Sequence, residues 1–261
     1  MSAVSTSAQA DLVTRRLLEF KLTTAATEIV PRLIEHDLGA AVPVLGEVLE
    51  AEAEARHERR VTRLRRASKL PATKTFDSFD MNRIPAGLRH KIATLRDGTF
   101  LEDATNILAF GLPGTGKSHA LAALGHDLTL AGHSVLFVAT YEIVQQLLAA
   151  KRDLDLPRRL RKLDNFELII LDDIGYVQQS TEEAEVLFTL LAERYERQSV
   201  ALTSNLVFSD WDRVFKNKMA TTAAIDRLVH HSAILEFDVA SYRSSQPRAS
   251  KPTKTPRTPK S

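Results

Sequence analysis

The chain has 261 residues, of which 44% are hydrophobic, enough to bury one or two cores. It contains no cysteine, which excludes disulfides and thiolate metal sites and fits a reducing compartment. The net charge of +2 is local: Arg243, Arg248, Lys251, Lys254, Arg257 and Lys260 crowd an acid-free C-terminal stretch, leaving 29 basic against 33 acidic residues elsewhere. No apolar run approaches the roughly 20 residues needed to cross a bilayer. The start, Met1 to Ser7, lacks a charged segment followed by an apolar one, so the expected protein is soluble and intracellular.

In chain order, Asp11 to Leu38 is apolar at helical spacing, through Leu12, Leu17 or Leu18, Ala25, Ile29 and Leu33. Pro31 predicts a break between two helices there. A second long helix is expected from Val44 to Lys69, rich in Ala, Glu and Arg and stopped by Pro71. Residues 1–70 therefore read as a small helical domain. Lys74 to Phe100 reads as a link to the next domain; Phe76 and Phe79 fit either core packing or a place near a nucleotide base. From there to residue 243 strands and helices alternate. The strands are Asn106–Phe110, Ser134–Ala139, Leu168–Asp172, Ser199–Thr203 and Ile234–Phe237. The helices are His119–Ala131, Tyr141–Lys151, Thr181–Arg197 and Ala220–His230. Such alternation predicts an α/β fold, a three-layer arrangement around a parallel five-stranded sheet, for residues 71–243. Residues 244–261, rich in Ser, Thr, Pro and Lys, are expected to be a disordered basic tail.

The chemistry begins at Gly111, Leu112, Pro113, Gly114, Thr115, Gly116, Lys117 and Ser118, a complete G-x-x-x-x-G-K-[ST] phosphate-binding loop between a predicted strand and a predicted helix. Backbone N–H groups and the helix N-terminus converge there, and glycine permits the tight turn. Lys117 is expected to reach the β- and γ-phosphates of a nucleoside triphosphate, and Ser118 to hold Mg²⁺. The run Phe-Glu-Leu-Ile-Ile-Leu-Asp-Asp, Phe166 to Asp173, reads as a buried parallel strand that delivers an acid to the ligand edge of the sheet. Asp172 is expected to order the Mg²⁺ shell and Asp173 to polarise the attacking water.

Other residues leave alternatives open. Asn205 either ends a strand or, if that strand neighbours the Asp172 strand, lies near the γ-phosphate. Arg227 is either a surface ion-pair partner or a residue that neutralises transition-state charge from a neighbouring subunit. His230 and His231 are expected to point apart, with no metal-ligand set around them. Trp211 is expected in a core or an interface. Arg56, Arg59, Arg60 and Arg63 share one helix face, with Glu58 the nearby acid, and Lys151, Arg152, Arg158, Arg159, Arg161 and Lys162 form a second basic cluster. Both fit either a solvated face or nonspecific binding to duplex DNA.

Leu191 to Trp211, Ala224 to His231 and Ser241-Tyr-Arg243, together with Gly111–Ser118, Asp172–Gly175, Leu22–Ala26 and Lys69–Pro71, resemble the IstB family of ATP-binding helpers of bacterial insertion sequences. The resemblance implies an AAA+ ATPase related to the helicase loader DnaC, working in the bacterial cytoplasm. It implies ATP and Mg²⁺ as cofactors, and double-stranded DNA, a partner transposase and further copies of the chain as partners. On the same basis Asn205 becomes a sensor of the γ-phosphate, Arg227 an arginine finger acting across a subunit boundary, and Arg243 a second residue near the nucleotide. Asp173 stands where the broader AAA+ pattern has Glu, which predicts slow turnover. The competing reading is a DnaC-like replicative helicase loader. It is disfavoured by a 1–70 segment whose only aromatic residue is Phe20, too few for stacking single strands.

Overall fold

A computed structural model of the chain describes residues 3–174, 180–206, 211, 228–239 and 241, with side-chain surroundings from residue 7 onward. The chain divides into two compact units, residues 1–66 and 67–261. Arg227, Arg243, most of the expected 220–230 helix and the basic tail lie outside the described residues.

The first unit is built from helices α1 (Ala3–Glu19), α2 (Thr23–Glu35) and α3 (Val42–Ser68). Val13 and Leu17 of α1 and Ala26 and Val30 of α2 bury with Val42 and Leu49, the four-residue spacing placing each pair on one helix face. The expected break at Pro31 is not where the chain turns: Pro31 lies inside α2. The helices separate instead at Lys21, which adopts a left-handed φ of 61°. There the Leu22 N–H reaches the Leu17 carbonyl and the Lys21 N–H reaches that of Leu18, both at 2.9 Å. This pairing satisfies the last carbonyls of α1. Lysine in place of the usual glycine hides the signal in the sequence.

The second unit holds a five-stranded sheet: β1 (Asn106–Gly111), β2 (Val135–Ala139), β3 (Leu168–Ile174), β4 (Ser199–Ser204) and β5 (Ser232–Phe237). The spatial order is β2-β3-β4-β1-β5, and every neighbouring pair is parallel. Helices α4 (Ala86–Leu95), α5 (Lys117–Leu130), α6 (Thr140–Arg152), α7 (Leu156–Leu163) and α8 (Thr181–Arg194) complete it. Side-chain alternation splits the core into two layers. Ile107 and Ala109 of β1 join Ile170 of β3 beneath Leu121, Leu124 and Leu128 of α5. Leu108 and Phe110 face the other way with Leu171 and Leu202, packing on Ile143, Leu147, Leu187 and Leu190 of α6 and α8. This is the expected three-layer α/β arrangement.

Three elements of this unit differ from expectation, the first being α7, which no expected helix covered. The segment read as a link contains α4, whose Leu88, Ile92 and Leu95 are buried in the same core layer as α5. Helix α8 ends three residues early, where Tyr195 leaves helical geometry at ψ 128° and Glu196 takes a left-handed φ of 56°, and its last residue is Arg194. Its buried guanidinium donates to the carbonyls of Leu163 (3.1 Å), Phe166 (2.8 Å) and Ser199 (2.9 Å), tying three chain segments together. Among the described residues, no helix is long and apolar enough to cross a membrane.

Candidate nucleotide site

The strand order decides what meets at the carboxyl edge of the sheet. Because β4 lies between β1 and β3, the loop after β1, the acids at the end of β3 and the turn after β4 open onto one crevice. That crevice has a volume of about 670 Å³, within the range of small-molecule sites. Pro113, Gly114, Gly116, Lys117 and Ser118 line it on one side, and Asp172, Asp173, Thr203 and Asn205 on the other.

The phosphate loop is shaped by its glycines. Gly111 has a φ of 150°, and a Cβ there would come within 2.6 Å of the Phe237 carbonyl oxygen on β5. Only glycine fits so close to a neighbouring backbone. Gly116, at φ 103°, turns the chain into the first residue of α5, so the helix N-terminus opens onto the crevice. Thr115 is buried and its hydroxyl donates to the Leu112 carbonyl at 2.8 Å, bracing the loop from behind. The Lys117 ammonium donates to the carbonyls of Gly111 at 2.8 Å and Leu112 at 2.9 Å, which places it on the loop floor.

Across the crevice, Asp172 and Asp173 stand beside an irregularity in the β3–β4 pairing: Leu171 pairs with Leu202, but Ile174 pairs with Ser204. Asp173 takes the extra step at a left-handed φ of 63°. Asn205 follows β4 directly, and its Oδ1 is buried with no hydrogen-bond partner among the described residues. An acceptor left unmet in a polar crevice suits a site that receives a water or a ligand donor. Ser118 and Asp172 supply a hydroxyl and a carboxylate to the same crevice. Such hard oxygen donors match Mg²⁺ held jointly by protein and phosphate, so the residues present fit a magnesium nucleotide.

The third wall was poorly legible in the sequence. Lys74, Ser78, Phe79, Asp80 and Arg83, all from the segment read as a link, line the crevice together with His119. The Phe79 and His119 rings meet edge to face at 5.1 Å. His119 Nε2 lies 3.0 Å from the Thr75 carbonyl and 3.1 Å from Ser78 Oγ, pinning this segment to α5. Burial pushes the His119 imidazole below its ordinary value, and Lys74 adds to the effect, while the bond to Thr75 opposes it. Phe76 packs in the core beneath, with Arg96 stacked 4.6 Å from its ring.

The remaining candidates fall elsewhere. In the first unit, Arg56 and Arg59 share the Glu52 carboxylate at 2.6 and 3.2 Å, and Arg56 also sits over the Phe20 ring at 4.0 Å. The acid that tempers this face is therefore Glu52, one helix turn earlier, as well as Glu58; Arg60 and Arg63 are exposed on the same helix. In the second unit, Lys151 pairs with Glu185 at 2.7 Å and Arg159 donates to Gln146. Arg152, Arg158, Arg161 and Lys162 are exposed on α6 and α7, and none of the four forms an ion pair among the described residues. Trp211 is fully buried in the α6–α8 core layer.

The expectation that His230 and His231 point apart is overturned. Their rings meet at 4.4 Å, and a ligand atom of each lies within 4.8 Å of the other's and of a Glu196 carboxylate oxygen. The helix ends at His230, so the two side chains are not held to helical spacing, and Glu196 arrives from the α8–β4 turn. All three are exposed, and the Tyr195 hydroxyl lies 3.2 Å from His230 Nδ1.

A parallel sheet with this strand order, a phosphate loop after β1 and acids at the end of β3 define a P-loop nucleotide-binding protein of the AAA+ type. Solved structures share the fold. The crystal structure of the DnaC helicase loader matches with a TM-score of 0.53 at 16% identity, covering 63% of this chain and 97% of that one. The replication initiator DnaA bound to AMPPCP and single-stranded DNA matches at 0.55 and 17%, over 66% and 52%. At such identities the likeness is one of fold alone. The particular family comes from the sequence: the chain belongs to the IstB-like ATP binding protein family, which it matches over residues 14–250. An insertion sequence ATP-binding protein of Sinorhizobium fredii is 43% identical over 204 residues, covering 78% of this chain and 68% of that protein. The ATP-binding protein of insertion sequence IS21 from Pseudomonas aeruginosa is 38% identical over 200 residues, covering 77% and 76%.

Proposed function

We propose that this protein hydrolyses ATP to ADP and phosphate, assembles on duplex DNA in its ATP-bound form, and thereby assists the transposase of its insertion sequence in the bacterial cytoplasm. The observation that carries this reading is the gathering of Lys117, Ser118, Asp172, Asp173 and Asn205 around one crevice. Its insertion-sequence setting rests on the family.

In this reading the loop N–H groups and Lys117 hold the phosphates, Lys117 leaving the Gly111 and Leu112 carbonyls to do so. Ser118 and Asp172 hold Mg²⁺, which when bound offsets the charge building on the phosphate oxygens. Asp173 accepts a proton from the attacking water, and the Asn205 amide orients that water against the γ-phosphate. Phe79 and His119 flank the base. Arg227, and with it Arg243, completes the site from a neighbouring subunit, so that nucleotide and assembly become interdependent. The exposed cations of α6 and α7, with those of α3, meet the phosphate backbone of DNA. Hydrolysis then loosens the assembly.

The test is duplex binding by the intact chain, with ATP, with ADP and without nucleotide, for wild type and Lys117→Ala. Cooperative assembly confined to wild type with ATP supports the reading. Assembly indifferent to nucleotide, or unchanged in the variant, sinks it.

A further inference from the structure

Where β3 and β4 lose register, one residue too many sits on β3. A bulge of this kind strands a backbone donor that the ladder no longer serves. Here the donor is the Asp173 N–H, and it is met by a side chain: Thr203 Oγ1 accepts it at 2.7 Å. The same hydroxyl donates its proton to Asp172 Oδ1, also at 2.7 Å. One buried oxygen thus fixes both acids, one through its backbone and one through its carboxylate. Thr203 is 1% exposed, and as a β-branched residue within β4 it has restricted side-chain rotation. The Thr140 hydroxyl adds a bond of 3.0 Å to the Asp172 carbonyl, so the Asp172 main chain is held as well.

We propose that Thr203 is the positioning residue of the magnesium and water-activating acids, acting through Asp172 and Asp173. The inference rests on the ATPase reading above for its activity arm only. With Oδ1 occupied by the Thr203 proton, Asp172 presents Oδ2, which has no hydrogen bond among the described residues, as its metal-facing oxygen. With its N–H held, Asp173 keeps the left-handed turn that sets it one step along the crevice.

The experiment compares wild type with Thr203→Val, Thr203→Ala and Thr203→Ser in the full chain. Valine keeps the shape and removes the hydroxyl; serine restores it. Three measurements are made: steady-state ATP hydrolysis for kcat and KM, binding of a fluorescent ATP analogue with Mg²⁺ and with EDTA, and amide hydrogen exchange at Asp173. Partners in this position typically contribute about 10- to 100-fold to metal affinity or activity. The expected valine result is a kcat lower by that factor, loss of the Mg²⁺-dependent part of nucleotide affinity, unchanged affinity in EDTA, and faster exchange at Asp173. Serine is expected to recover most of each. Should valine fail to fold, alanine takes its place in the same measurements. If folded valine or alanine variants retain wild-type kcat and Mg²⁺ dependence, or if serine rescues neither, the proposal is overturned. A wild type without hydrolysis defeats the ATPase reading instead, while the Mg²⁺-dependent affinity and the exchange rate still decide the role of Thr203.

Discussion

The Lys117 ammonium lies 2.8 Å from the Gly111 carbonyl oxygen, so the loop's own backbone holds the residue that phosphates would claim. A lysine already tied down enters the bound state with little further loss of side-chain freedom. Lys117→Ala is expected to weaken ATP binding by up to about 100-fold, since the bonds to phosphate replace those to the loop carbonyls and a charged hydrogen bond is worth roughly 1.5–3 kcal/mol. The measure is thermal stability with ATP. Wild type should gain several degrees through ligand linkage, and the variant should gain none.

Asp173 separates charge from conformation. Its left-handed φ suits Asp, Asn and Gly and penalises branched residues. Asp173→Asn should fold normally and bind ATP, yet lose hydrolysis by about 10²–10⁴, the usual worth of a general base. Asp173→Val should additionally lose about 1–2 kcal/mol of stability. Equal chemical denaturation midpoints for the asparagine and valine variants would contradict this reading of the backbone.

A stability effect is expected at Arg194, outside the apolar core. Burial lowers its pKa to about 10, with the Asp164 carboxylate opposing the shift and Arg197 reinforcing it. It remains charged at neutral pH. Arg194→Met removes the donor to carbonyls on two other segments, the α7–β3 turn and the start of β4, and should cost about 3 kcal/mol in urea unfolding. Arg194→Lys should recover only part of this, because an ammonium cannot reproduce the planar fork.

The acid response of the linker wall follows from His119. Its folded-state pKa lies below the usual 6.5, so the unfolded chain takes the proton more readily. The corresponding stability is complete above pH 6.5 and is lost as the pH falls through the lower, folded value. Melting curves of wild type and His119→Gln should run parallel above pH 7 and converge or cross below about 6. Curves that stay parallel down to pH 5 would remove His119 from the account.

For DNA, the two basic clusters should not contribute equally. Arg158, Arg161 and Lys162 have no ion pairs among the described residues, whereas Arg56 and Arg59 already share Glu52. Replacing the α7 trio with alanine should reduce the log–log salt slope of duplex binding by up to about 0.9 for each phosphate no longer neutralised. Replacing Arg56 and Arg59 should change it less. Fluorescence anisotropy across a salt series makes the comparison.

Some of this was readable directly from the residues. The phosphate loop, the apolar run into Asp172-Asp173 and the alternation of strand and helix are local patterns, each decided by neighbours a few positions away. Pro31 misled because a helix can absorb a proline, whereas the turn at Lys21 has no glycine to announce it. The early end of α8 was invisible for a related reason: the left-handed residue that follows it is Glu196, with no glycine to announce the turn. Glu196, His230 and His231 converge only because the α8–β4 turn and the end of the following helix happen to adjoin.

By itself, then, the chain of residues determined that a triphosphate-binding loop and an acidic strand end exist within a parallel α/β layer, because backbone geometry and side-chain periodicity act over short range. Only the tertiary structure decided that β4 runs between them, that one threonine hydroxyl serves both acids, and that the Lys74–Arg83 segment closes the crevice. Those relations join residues dozens of positions apart, and they arise from strand pairing and burial, which no local pattern encodes.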